Sequence, residues 1–155
     1  MARNLQPVRV EPETSGYPHY DHKSRECFLN LERTHILVRP VFERLFRPYG
    51  LSGSTFNILM ILRSSEAPLA PHAIGEQVVV TRPTVTGLLN SLEAQGFIRR
   101  DADPVDGRRV RISLTKAGKE RVEALLPAVF ALEKELFADL STREKETLIT
   151  LLANV

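Results

Sequence analysis

The clearest pattern of apolar and polar positions lies near the middle of the chain. Val85, Leu88, Leu89 and Leu92 recur at i, i+3, i+4 and i+7, the spacing of one buried helical face. Pro83, Gly87 and Asn90 point the other way, flanked by Thr84 and Thr86. This outer face is small and has no acidic residue in its first two turns, where a solvated face would more often carry Glu and Lys. Thr81 is placed to cap the helix and Gly96 to take the C′ position. After Gly96 the period falls to two. Phe97-Ile98-Arg99-Arg100 predicts a short strand, and Val110, Ile112 and Leu114 alternate with Arg109, Arg111 and Ser113 in a second. Asp103-Pro104-Val105-Asp106-Gly107 between them is dense in turn formers.

The remaining pattern is helical. From Lys23, the residues Phe28, Leu31, His35, Val38, Phe42, Leu45 and Tyr49 share one face, with His35 expected as a core histidine. Pro40 removes a backbone bond and predicts a kink or division. Ser54 to Arg63 predicts a second helix and Pro71 the start of a short third, where Ala70 supplies no capping side chain. Thr115 opens a long helix with Val122, Leu125, Leu126, Val129, Phe130, Leu132, Leu136 and Phe137 on a wide apolar face, bent at Pro127. Ser141-Thr142-Arg143-Glu144 has capping-box spacing and opens the last helix. The fold class is therefore mostly α with a small antiparallel β-hairpin, the outline of a winged helix-turn-helix. We divide it into an extended arm (1–22), a first long helix (23–50), the winged helix-turn-helix (51–114) and C-terminal helices (115–155).

Charge sharpens this picture. The net charge is only +2. Residues 81–121, however, hold nine Lys or Arg against five acids, leaving the rest of the chain net negative. Positive charge thus gathers on the hairpin, beside a helix small enough to enter a DNA major groove. No apolar run is long enough to span a bilayer, and the polar N-terminus is not a signal peptide, so a cytoplasmic protein with no membrane partner is expected. A single cysteine, Cys27, excludes a disulfide framework. No phosphate loop, metal-ligand spacing or nucleophile context appears, so neither an enzyme nor a cofactor or metal site is expected.

These residues resemble the MarR family of transcriptional regulators. The likeness is carried by Thr84-Val85-Thr86, Leu92-Glu93-Ala94-Gln95-Gly96-Phe97-Ile98, Asp103-Pro104-Val105-Asp106-Gly107-Arg108-Arg109 and Leu114-Thr115-Lys116-Ala117-Gly118, and upstream by Tyr49-Gly50-Leu51-Ser52 and Phe56-Asn57-Ile58-Leu59. It implies a homodimer built from the first helix and the last two, binding double-stranded DNA at a pseudopalindromic operator, more often as a repressor. Thr81, Arg82, Pro83, Thr84, Thr86, Gly87 and Asn90 would face the major groove, with Asn90 matched to adenine, which needs a donor and an acceptor together. The family pattern assigns Arg108 to the minor groove, Asp106 to holding an arginine in place, and leaves Arg109 as a phosphate contact.

The same resemblance implies release by a small-molecule effector, an aromatic or phenolic acid being the class suggested by cations beside aromatic rings. By position the pocket candidates are Arg33, His35, Arg39, Phe42 and Phe56, with Tyr20 beside them. Two alternatives remain open from the sequence. One is a thiol-based peroxide sensor working through Cys27, set against a buried or inert cysteine; the other is a winged-helix module that binds protein. The arm, ending in His19, Tyr20 and His22, reads as a linker, a lid or a crossing to a partner subunit.

Overall fold

The structure is a computed structural model that describes residues 6–12, 16–78 and 82–155, the side chains of residues 82 and 83 excepted. The elements are α1 (His22–Phe46), a 3₁₀ turn (Arg47–Tyr49), α2 (Gly53–Ser64), α3 (Pro71–Gln77), α4 (Arg82–Ala94), β1 (Ile98–Ala102), β2 (Val110–Leu114), α5 (Lys116–Leu136) and α6 (Thr142–Leu152). This is the predicted mostly helical chain with one antiparallel hairpin. It forms two compact units, residues 1–42 and 43–155.

In the first unit, Asp21 caps α1 by accepting hydrogen bonds from the backbone N–H of Lys23 (3.1 Å) and of Ser24 (3.0 Å). Residues 6–10 are extended and lie along α1 in the opposite direction. The Arg33 guanidinium donates to the Gln6 carbonyl at 2.7 Å. The Asn30 side-chain amide exchanges two bonds with Val8, at 2.9 and 3.0 Å. The Val10 N–H donates to Glu26 at 3.0 Å. Positions 26, 30 and 33 stack on one helical face, while 6, 8 and 10 form one edge of an extended segment, so the two periods mesh. The arm is thus a strap on its own helix. Glu26 is buried beneath it, and its pKa falls from 4.5 to about 2, chiefly because the Val10 N–H bonds the carboxylate and secondarily because Lys23 does.

Two expectations for α1 need correction. His35 is exposed and is not a core histidine. Cys27 is exposed rather than buried, because the strap covers only the 26/30/33 face. Pro40 lies inside an uninterrupted helix. The carbonyl it leaves unbonded belongs to Ile36, which is exposed, so water can serve it. Phe28 and Leu31, on the apolar stripe, are also exposed.

The second unit has a continuous core. Ile58, Leu59 and Leu62 of α2, Ile74 of α3, Val85, Leu89 and Leu92 of α4, Ile112 of β2 and Val122, Leu125 and Val129 of α5 are all buried. Ser52 caps α2 through a reciprocal pair of bonds with Thr55, a box not predicted from the sequence. α3 begins at Pro71 without a capping side chain, as Ala70 implied. Gly96 ends α4 with φ +72°. β1 and β2 pair with Arg100 opposite Ile112. Leu69 adds an isolated bridge to Ile112 through bonds of 2.9 and 2.7 Å, anchoring the hairpin to the α2–α3 loop. Pro127 likewise sits inside an unbroken α5. α6 opens on the predicted Ser141/Glu144 capping box and buries none of its residues.

Candidate nucleic-acid interface

The α4 helix turns Val85, Leu89 and Leu92 into the core. Its opposite side, Thr84, Thr86, Gly87 and Asn90, is exposed. A Cβ on Gly87 would meet nothing within 4 Å, so the glycine leaves an open shallow place on that face. Arg82 and Pro83 form the first turn of α4; Thr81 lies outside the described residues, so its predicted cap does too.

The hairpin loop is built on Asp103, which is 5% exposed. One of its oxygens accepts from the N–H groups of Val105 (2.8 Å) and Asp106 (3.2 Å), and the other from Arg111 Nε (2.5 Å). The Val105 N–H, then Arg111 and the Asp106 N–H, hold this carboxyl below its ordinary range. Main-chain bonds from Asp103 N to Arg109 O (2.9 Å) and from Arg109 N to Asp106 O (2.8 Å) close the loop. Asp106 accepts from the Arg108 N–H at 3.2 Å and pairs with Arg109 Nε at 3.1 Å. The arginine it holds by the side chain is therefore Arg109, and among the described residues Arg108 is bonded through its backbone N–H alone. The i, i+3 spacing across the turn puts the Arg109 guanidinium beside the Asp106 carboxylate.

The hairpin's charge is mostly spoken for. Arg99 pairs with Asp101 at 2.9 Å, Arg100 with Glu93 and Arg111 with Asp103. Arg121 lies over the Phe97 ring at 5.0 Å and the Tyr49 ring at 5.8 Å, where its cation faces aromatic density. It is part of the core's edge and not of the basic surface its sequence position suggested. Among the described residues, exposed Arg108 has no acidic partner.

A family model described as the MarR family matches residues 49–109, the span from the end of α1 through the wing loop. The chain is 34% identical over 147 residues to the HTH-type transcriptional repressor YetL of Bacillus subtilis, covering 94% of this chain and 88% of that one. The chain belongs to the MarR family of transcriptional regulators. As a member it is a DNA-binding regulator and not an enzyme. Two solved MarR-like folds superpose on most of it. MepR of S. aureus, solved with DNA, has a TM-score of 0.72 and 24% identity, covering 87% of this chain and 96% of that one. BpsR of Bordetella bronchiseptica, whose DNA binding is regulated by 6-hydroxynicotinic acid, has a TM-score of 0.77 and 23% identity, covering 88% and 96%.

In this MarR-family chain the effector candidates fall in different settings. Arg33 is engaged by the strap through Gln6. His35 and Arg39 are exposed and Phe42 is half-buried. Phe56 is buried and stacks on Phe46, ring centroids 4.8 Å apart. A cleft of about 270 Å³, bordered by Leu62, Arg63, Pro68, Leu114 and Lys119, includes none of the five.

Sequence reasoning missed Arg100 and Asp103 as organisers of this surface. Asp103-Pro104 at a strand end was a usable sign of a side-chain turn. Nothing in the sequence singled out Arg100. Its Nη2 donates to Asn90 Oδ1 at 2.8 Å and its Nη1 to Glu93, joining strand to helix.

Proposed function

We propose that this regulator acts as a homodimeric repressor that reads a pseudopalindromic operator. The observation that carries the reading is the uncharged, exposed face of α4 beside a hairpin whose Arg108 has no acidic partner among the described residues. That pairing suits a helix in the major groove and a guanidinium in the adjacent minor groove. Thr84, Thr86, Gly87 and Asn90, with Thr81, Arg82 and Pro83 at the helix start, are the groove-facing set. Arg109, fixed by Asp106, is a phosphate contact. The two-fold axis puts half-sites about one helical turn apart, and a regulator bound to the chromosome works in the cytoplasm.

Dimerisation is supported by apolar surface that one chain leaves uncovered. Phe130 and Leu136 of α5, Phe137 just after it, and Ile149, Leu151 and Leu152 of α6, are all exposed. A similar surface on α1 includes Phe28 and Leu31. For the effector, the aromatic acid that regulates BpsR supports a small aromatic or phenolic acid, with Arg33, His35, Arg39, Phe42 and Phe56 as candidate contacts. Such a ligand releases DNA by favouring a dimer whose two recognition helices are wrongly spaced.

The test is binding of the full chain to duplex from its own upstream region, across a salt series. A steep fall in affinity with salt and a footprint of two half-sites are expected. Equal affinity for that duplex and for random DNA would remove the operator reading. Release by benzoate- or nicotinate-type acids, but not by aliphatic acids, is the expected effector response.

A further inference from the structure

We propose that Asp103 and Arg111 are positioning residues for the wing, together setting the hairpin tip so that Arg108 and Arg109 reach the DNA. The inference rests on the operator reading above, which directs those two arginines at the minor groove and the phosphates. Asp103 cannot serve DNA directly. Its side chain is 4% exposed, and a carboxylate repels phosphate. Its contribution lies in what it holds. One oxygen accepts from the Val105 N–H at 2.8 Å and the Asp106 N–H at 3.2 Å, fixing the loop backbone. The other accepts from Arg111 Nε at 2.5 Å.

These bonds run in series from the sheet to the tip. Arg111 belongs to β2 and stands opposite Asp101. It reaches Asp103 diagonally, as long side chains can across an antiparallel pair. The Asp103 N–H bonds the Arg109 carbonyl at 2.9 Å, one step beyond the paired Ala102 and Val110. Asp103 in turn holds the Asp106 N–H. The Asp106 carboxylate receives the Arg108 N–H at 3.2 Å and Arg109 Nε at 3.1 Å. Loosening Asp103 therefore frees the segment that carries both arginines. Apolar packing does little for this tip. Val105 is 94% exposed, and a Cβ on Gly107 would meet nothing within 4 Å. The bond to Asp103 uses Nε of Arg111 and not its terminal nitrogens, so a change at Arg111 alone would not tell positioning from a phosphate contact.

The experiment measures the affinity of the full-length protein for its upstream duplex at low salt, where phosphate contacts bind most strongly. Asp103→Asn and Arg111→Met are each made in wild type and in the tip variant Arg108→Ala/Arg109→Ala, with a melting curve for every protein. Asparagine is isosteric with aspartate. Its NH₂ group must nevertheless face either Arg111 or the two loop N–H groups, setting donor against donor in both cases. Bare electrostatics predicts tighter DNA binding when a negative charge is lost. Positioning predicts the reverse. In wild type, Asp103→Asn and Arg111→Met are each expected to weaken binding about threefold to tenfold, the scale of coupling within one hydrogen-bond network. In the tip variant neither change should weaken it further, because no tip guanidinium remains to be placed. Should Asp103→Asn fail to fold, Arg111→Met decides by the same comparison. Unchanged or tighter binding by a folded Asp103→Asn overturns the proposal. So does a loss of equal size in both backgrounds, which would mean that Arg111 touches phosphate independently or that Asp103 supports the fold elsewhere. A tip variant that binds as wild type does removes the wing from the operator reading itself, which the other two adverse outcomes leave standing.

Discussion

Arg108 and Gly118 show how differently residues of two neighbouring motifs can act. Arg108 is exposed at the hairpin tip and, among the described residues, tied only by its backbone N–H, so its removal costs the fold little. Arg108→Ala is expected to weaken operator binding about tenfold and to flatten the salt slope by about one unit. Its melting temperature should match that of wild type, and fluorescence anisotropy across a salt series reads both binding effects. Gly118 is the opposite case. A Cβ there would lie 2.1 Å from the Phe97 carbonyl oxygen and 2.9 Å from Leu114 Cδ1. That carbonyl cannot retreat freely, because it accepts from the Thr115 N–H at 3.0 Å and the Thr115 hydroxyl at 3.1 Å. Gly118→Ala should therefore destabilise by about 1–3 kcal/mol through overpacking, lowering the thermal midpoint by about 2–4 °C per kcal/mol. A calorimetric midpoint equal to wild type would contradict the close approach. Both residues belonged to the motifs that suggested the family, yet only Arg108 was legible as functional. The need for glycine at 118 comes from a strand end passing over α5, which no local pattern records.

Among the elements, the hairpin and the N-terminal strap are both organised by a carboxylate that accepts main-chain hydrogen bonds. The strap offers the sharper pH test. Glu26 has its pKa lowered from 4.5 to about 2, so its charged form is favoured when the arm is docked. A group depressed on folding contributes fully above its ordinary value and loses that contribution as pH falls through the depressed one. The docked strap is expected to persist at pH 5–7 and to loosen between pH 4.5 and about 2. The amide resonance of Val10, bonded to Glu26, should follow a midpoint near 2 and not near 4.5. In Glu26→Ala the Val8 and Val10 amides should exchange quickly at every pH. Slow exchange in that variant would mean that Asn30 and Arg33 hold the arm unaided. Neither the strap nor its partners were visible in the sequence, where the arm showed only prolines and no sustained period. The hairpin was visible because alternation and turn residues are local signals.

For the whole molecule, the question is what covers the apolar ends of α5 and α6. Ile149 is 68% exposed in the single chain, so a charge there should be harmless to a monomer and ruinous to an interface. Ile149→Asp is expected to sediment as a folded monomer at micromolar concentration, with the helical content of wild type. Operator affinity should fall by more than tenfold, because two half-sites are no longer held together. A variant that stays dimeric would show that α6 lies outside the interface. Leu148 is a poorer probe, since it is half-buried within the chain and its substitution would confound folding with assembly.

Periodicity, capping and turn chemistry determined the elements from sequence alone: the α4 face, the Gly96 stop, the Ser141 box and the hairpin all depend on residues within a few positions of one another. The same local signals placed the basic segment beside a small-faced helix, enough to reach the family. What they could not determine is which partner each charged side chain takes. Arginines look alike along a sequence, and their roles follow from the surfaces that folding sets beside them. Arg100 was committed to Asn90 and Glu93, Arg121 to two aromatic rings and Arg33 to Gln6, 27 residues away, while Arg108 was left exposed. Those assignments depend on how a strand packs on a helix and how an extended arm lies along another. Tertiary packing alone sets such distances, because the chain between the partners is long enough to allow many others.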